Sequence, residues 1–104
     1  MEKIFNFEDR LVRFAGECIF FTRQLERLFE NESYKNQLIR SSGSASLNFG
    51  EAQGTLVVKE LKESRNSLKI LDYIKEGDID KRNKLLIEVE QLIAISSKMI
   101  INKK

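Results

Sequence analysis

Gln37-Leu-Ile-Arg-Ser-Ser-Gly-Ser-Ala-Ser-Leu-Asn-Phe-Gly-Glu-Ala-Gln-Gly54 is the stretch on which the fold turns. Read locally, Ser41 to Ser46 is a run of small residues of the kind that forms flexible linkers. The other reading is a helix whose small side chains let a second helix approach closely. Ser41, Ser44, Asn48 and Glu51 would then share one polar stripe at i, i+3, i+7 and i+10. Tyr34, Leu38, Ala45, Phe49 and Ala52 fit the apolar face of such a helix, spanning about residues 31–53. Periodicity leaves both readings open.

The segments on either side are easier to read. Between Phe7 and Phe29, Leu11, Phe14, Ala15, Cys18, Phe21, Leu25, Leu28 and Phe29 recur every three or four residues, which predicts one amphipathic helix over about 7–29. Val12 and Ile19 widen its apolar face to roughly 200°, and Phe20 lies outside even that arc. After Gly54, a C-terminal stop for the second helix, Thr55 is placed to cap a third over about 55–75. Val57 or Val58, Leu61, Ser64, Leu68, Leu71 and Ile74 supply its inward face. Gly77 closes it, and Asp78 or Asp80 offers a cap for a fourth helix over about 80–102. There Leu85, Leu86, Val89, Leu92, Ile93, Ser96, Met99 and Ile100 trace a core stripe. Ile87, Ala94 and Ile101 form a second line at seven-residue intervals on the far side. With Phe20, that line is a candidate oligomer seam; scattered surface aliphatics are the plainer reading.

Composition agrees with four helices and narrows the chemistry. The chain has 104 residues, enough for one domain spanning 1–104, and it contains no proline to interrupt a helix. Hydrophobic residues make up 41%, too many for a disordered chain, yet no run is long enough for a membrane span. A single cysteine, Cys18, excludes a disulfide framework and points to a reducing, cytoplasmic setting; on the apolar face of the first helix it reads as a small core residue. The absence of histidine removes the commonest general base and metal ligand. Acidic pairs such as Glu60 with Glu63, or Asp78 with Asp80, lack the histidine partners of di-metal bundles. No cofactor, metal site or catalytic residue is expected, and the chain reads as a non-enzyme. Four helices with short connections make an all-α, antiparallel up-down-up-down bundle.

The 37–54 stretch resembles the second helix of a bacterial four-helix-bundle family, first named for proteins encoded by intervening sequences in 23S rRNA genes and sometimes labelled S23 ribosomal protein. In that family a Gln-Leu/Ile-x-Arg element precedes a small-residue run, then Asn-x-x-Glu and a glycine. Gln37-Leu38-Ile39-Arg40, Asn48, Glu51 and Gly54 stand in those places. Residues 59–70 are similar to the family's third helix, and the similarity covers about residues 6–100. Ser46 stands where many relatives have proline, and Ala52 follows Glu51 where many have glycine. The resemblance implies a helical second segment, an antiparallel bundle and a homopentamer. It implies no reaction. The accessory protein of diversity-generating retroelements, a relative, is a basic pentamer that engages reverse transcriptase and nucleic acid.

Ser44, Asn48 and Glu51 are therefore expected to form a polar network between helices, with Glu51 paired to Arg65 or Arg40. Residues 1–52 carry 7 basic and 8 acidic side chains, a net of −1, whereas residues 53–104 carry 11 and 8, a net of +3. Lys59, Lys62, Arg65, Lys69, Lys81, Arg82 and Lys84 are candidate phosphate contacts on RNA or DNA, which a ring would multiply. Interleaved acids make a solvated helix face the plainer alternative. The expected role is an interaction scaffold with nucleic-acid or nucleoprotein binding, or else a protein-interaction or structural oligomer with no nucleic-acid role.

Overall fold

In a computed structural model, which describes residues 6–103 and their side chains as far as Ile100, Ser41–Ser46 lies inside an unbroken helix. The hydroxyls of Ser41 and Ser42 turn back to the carbonyls of Leu38 (3.4 Å) and Ile39 (3.3 Å), so each serine satisfies its own polar atom within the helix. Both are buried, as is Ala45. Their small volume brings the next helix close enough for the Ser41 and Ser64 hydroxyls to bond at 2.7 Å.

The elements are α1 (Phe7–Thr22), α2 (Phe29–Gly50), α3 (Gly54–Tyr73) and α4 (Ile79–Lys103). No strand occurs among the described residues. Each helix packs on the next in sequence, and α1 also packs, less extensively, on α4. The result is a compact rod, 44 × 24 × 19 Å, with a radius of gyration of 13.5 Å. No described helix is long and apolar enough to cross a membrane.

Two of the connections use the same backbone device. α2 ends with the amides of Ala52 and Gln53 donating to the carbonyls of Phe49 (3.0 Å) and Asn48 (2.8 Å). α3 ends likewise, with Lys75 donating to Asp72 (3.1 Å) and Glu76 to Leu71 (2.9 Å). This reversal needs a left-handed residue just past the helix, usually glycine. Here Ala52 (φ 61°) and Lys75 (φ 60°) fill the position. Gly54 is therefore no stop; it is the first residue of α3, and Thr55 lies within that helix rather than capping it. At α4 the cap falls on Asp78, whose Oδ1 accepts the Lys81 amide at 2.9 Å.

α1 departs most from its expected span. It stops at Thr22, where the hydroxyl bonds back to the Ile19 carbonyl at 2.8 Å, and residues 23–28 form a turn. Leu25 still reaches the core from that turn. Leu28 is 41% exposed, however, and Phe29 is 91% exposed as the first residue of α2. No proline or glycine marks the break. The reversal is fixed by one local and one distant contact: Asn31, buried, donates to the Glu26 carbonyl five residues back at 3.1 Å, and Leu25 packs beneath Gly77.

The core runs along the axis, with Phe7, Leu11, Phe14, Cys18 and Phe21 from α1 and Leu38 and Ala45 from α2. Val57, Leu61, Leu68 and Leu71 come from α3, and Leu85, Val89, Leu92 and Ile93 from α4. Phe7 meets Phe49 edge-to-face at 5.1 Å, which ties the start of α1 to the end of α2.

Candidate interaction surfaces

Of the expected stripe, the polar seam between α2 and α3 uses Ser41 alone, and its other members are different residues. Ser41 meets Ser64 as described. Arg40 bonds Glu63 at 2.8 Å and approaches Glu60 at 3.6 Å. Glu63 holds the Arg40 guanidinium above its ordinary pKa. Ser44 and Asn48 are half-buried, and Glu51 is exposed at the end of α2 with no ion pair among the described residues. The expected Glu51 pairing fails because its two cations are engaged elsewhere, Arg40 on α3 and Arg65 on Glu90 of α4 at 3.3 Å. Ser64, a lone hydroxyl on the apolar stripe of its helix, was the readable sign of the true contact.

The seven candidate phosphate contacts divide sharply. Lys59, Lys62, Lys69, Lys81 and Lys84 are exposed. Arg82 is not available to a phosphate: it is 3% exposed, donates to Asp72 Oδ1 at 2.7 Å, and holds the carbonyls of Glu76 (2.6 Å) and Gly77 (3.2 Å). It clamps the α3–α4 turn. Arg65 is half-buried on Glu90. The two differ from the lysines because each lies beside an acid of the adjoining helix, which heptad spacing on one helix does not reveal.

Between α3 and α4 an open groove of about 590 Å³ is bounded by Thr55, Val58, Lys62, Asn66, Ser97 and Ile100. Lys59 and Glu63 complete its rim, with Lys59 Nζ 3.9 Å from Glu63. Lys62 has no ion pair among the described residues. Lys81 and Lys84 begin α4, about 20 Å from this groove at 1.5 Å per residue, so the lysines do not form one patch.

Comparison with protein families, curated proteins and solved structures finds no match. The surfaces must speak for themselves. Of the candidate seam, Phe20 is 51% and Ile87 61% exposed, and Ala94 is exposed; the Ile101 side chain lies outside the described residues. Arg23 sits 5.4 Å over the Phe20 ring, a cation–π contact. On the intervening side, Arg10 bonds Glu88 through two nitrogens (2.8 and 3.1 Å) and Gln91 at 3.1 Å. Glu88 raises the Arg10 pKa. These polar bonds lace α1 to α4 between the two exposed apolar stripes.

Cys18 is fully buried beside Ser42, and burial pushes its thiol up to about 12, against a smaller opposing pull from the Ser42 hydroxyl. It is a core atom and no nucleophile. Among the described residues, no cluster of three or more cysteine and carboxylate ligands stands ready for a metal ion.

Proposed function

We propose that this chain is a non-catalytic, self-associating four-helix bundle that serves as an interaction scaffold. The observation that carries the reading is the pair of apolar stripes left in water, Val12 and Phe20 on α1 and Ile87 with Ala94 on α4. The bundle is antiparallel, up-down-up-down. In support, Asp72, Arg65 and Gly54 of α3 meet Arg82, Glu90 and Ile100 of α4, one series descending as the other climbs. Arg10 against Glu88, with Phe21 against Gly77, gives α1 and α4 the same opposed order.

The chain is a relative of the bundles encoded by intervening sequences in 23S rRNA genes. It works as a homopentamer in the reducing cytoplasm, where the buried Cys18 stays a free thiol. The Gln37–Gly54 signature supports both the kinship and the number five. A second reading, contact with RNA or DNA, is favoured by Lys59, Lys62, Lys69, Lys81 and Lys84, all exposed and repeated on every copy of a ring.

Light scattering after size exclusion tests both, with and without a mixed RNA and DNA pool at two salt concentrations. The expected result is a mass several times 12.1 kDa that Ala94→Glu lowers without unfolding the chain. A monomer overturns the scaffold reading. A further rise with nucleic acid that salt reverses supports the second reading, and indifference to the pool removes it.

A further inference from the structure

The outermost face of α3 is a continuous cationic and hydrogen-bonding stripe. Thr55, Lys59, Lys62, Asn66, Lys69 and Tyr73 recur every three or four residues opposite the helix's buried face, and all six are exposed. The stripe is about 27 Å long and contains no carboxylate. The acids beside it are engaged by other cations: Glu60 and Glu63 by Arg40, Glu90 by Arg65, and Asp72 by Arg82. Lys59 also approaches Glu63, at 3.9 Å, whereas Lys62 and Lys69 have no ion pair among the described residues. Glu51 precedes the stripe, and Glu76, Asp78 and Asp80 follow it, so acids fence its two ends.

Lysines alone suit any polyanion; the aromatic end of the stripe narrows the choice. Tyr73 is 87% exposed and stacks on no other ring among the described residues. Its free face is a platform for a flat ring, and every nucleobase has a π-face to lay on it. In a duplex those faces are already stacked on one another, so a single strand is the fit. Beside Lys62 the stripe borders the α3–α4 groove, where apolar Val58 and Ile100 and polar Asn66 and Ser97 suit a second base. A lipid surface fits less well: it needs several apolar side chains in one plane, and the stripe has none before Tyr73.

Resting on the second reading above, we propose that the outer face of α3 binds single-stranded nucleic acid, with phosphates on Lys62 and Lys69, Asn66 donating between them, and one base stacked on Tyr73. Lys59 carries less of the contact because it shares Glu63 with Arg40. Phosphates and base faces are common to RNA and DNA, so the stripe takes either. Lys81 and Lys84 take no part: Arg82 and Glu90 face α3, and the two lysines fall on the opposite side of α4.

Fluorescence anisotropy with labelled oligo(U) and oligo(dT) of about ten nucleotides, at several salt concentrations, tests the stripe. Binding of either supports it, and the tighter arm tells RNA from DNA. Lys62→Ala with Lys69→Ala should weaken binding at least about tenfold at low salt and flatten the slope of log affinity against log salt by about 1.4, two phosphates at about 0.7 each. Tyr73→Ala should weaken it about fivefold to a hundredfold with the slope unchanged, and Tyr73→Phe should keep it. Lys81→Ala with Lys84→Ala removes equal charge from α4 and should change binding by less than about twofold. All of these positions are exposed, and circular dichroism checks that each variant folds. No binding of either oligonucleotide at low salt removes the second reading itself. Binding that the α4 pair weakens as much as the α3 pair, that survives Tyr73→Ala, or that is as tight for a duplex overturns the α3 stripe alone.

Discussion

Replacing Gly77 by alanine tests how tightly the turn between α3 and α4 is locked to the core. Gly77 has φ +80°, a conformation that costs an L residue about 1 kcal/mol or more. An added Cβ would stand 2.5 Å from Cε1 and 2.7 Å from Cζ of Phe21, and 3.0 Å from Leu25. Phe21 is fully buried, so its ring has nowhere to retreat, and overpacking of this kind costs about 1–3 kcal/mol. The two effects sum to a loss of about 2–4 kcal/mol. In a domain of this size each kcal/mol lowers Tm by about 4–8 °C. Urea unfolding followed by circular dichroism reads the loss directly, and a change below about 0.5 kcal/mol would refute the reasoning. A second background separates the contributions. In Phe21→Leu the clashing ring atoms are gone, so Gly77→Ala should cost only the backbone share and the closer Leu25 contact there. An equal loss in both backgrounds would show that the ring plays no part.

Three further outcomes are expected. Ala52→Gly should stabilise the chain by about 0.5–1 kcal/mol in the same unfolding assay, since φ 61° after α2 favours glycine and strains alanine. Arg82→Met should cost about 2–4 kcal/mol by leaving the Glu76 and Gly77 carbonyls and Asp72 without their donor, and Arg82→Lys should not rescue it, because one ammonium cannot span the three acceptors. Cys18 should resist aromatic disulfide reagents at pH 8 until denaturant opens the core. Its unfolded thiol ionises near the ordinary 9.0 and its folded thiol only near about 12, so the unfolded state sheds its proton first; the Cys18 contribution to stability should fall as pH rises through that window and be flat below it. A Cys18→Ala variant that shows the same alkaline loss would exclude the thiol as its cause.

Legibility of the sequence varied with the range of the interactions involved. The stripe Leu61, Ser64, Leu68, Leu71 and its partner Leu85, Val89, Leu92, Ser96 are buried where three- and four-residue spacing put them. The clamp of Arg82 was hidden, because an arginine at the start of a helix looks the same whether it faces water or an acid ten residues away on the adjoining helix. Glu51 misled for the mirror reason: its place in a polar stripe is local, but its expected partners are spent on Glu63 and Glu90 across helix boundaries.

Ala52 shows both sides. Sequence marks it as standing where many of the family it resembles carry glycine; only the fold shows that the position is left-handed and that Gln53 and Ala52 close the helix through it.

What the sequence determined by itself is the helices on either side of residues 37–54, since periodicity and the absence of proline act within a few residues. The tertiary structure decided where α1 ends, that Ser41–Ser46 is helix packed on Ser64 and not a tether, and which charges are spent inside the bundle. Those outcomes depend on pairs of residues far apart in the chain, whose energies exist only once the helices have met.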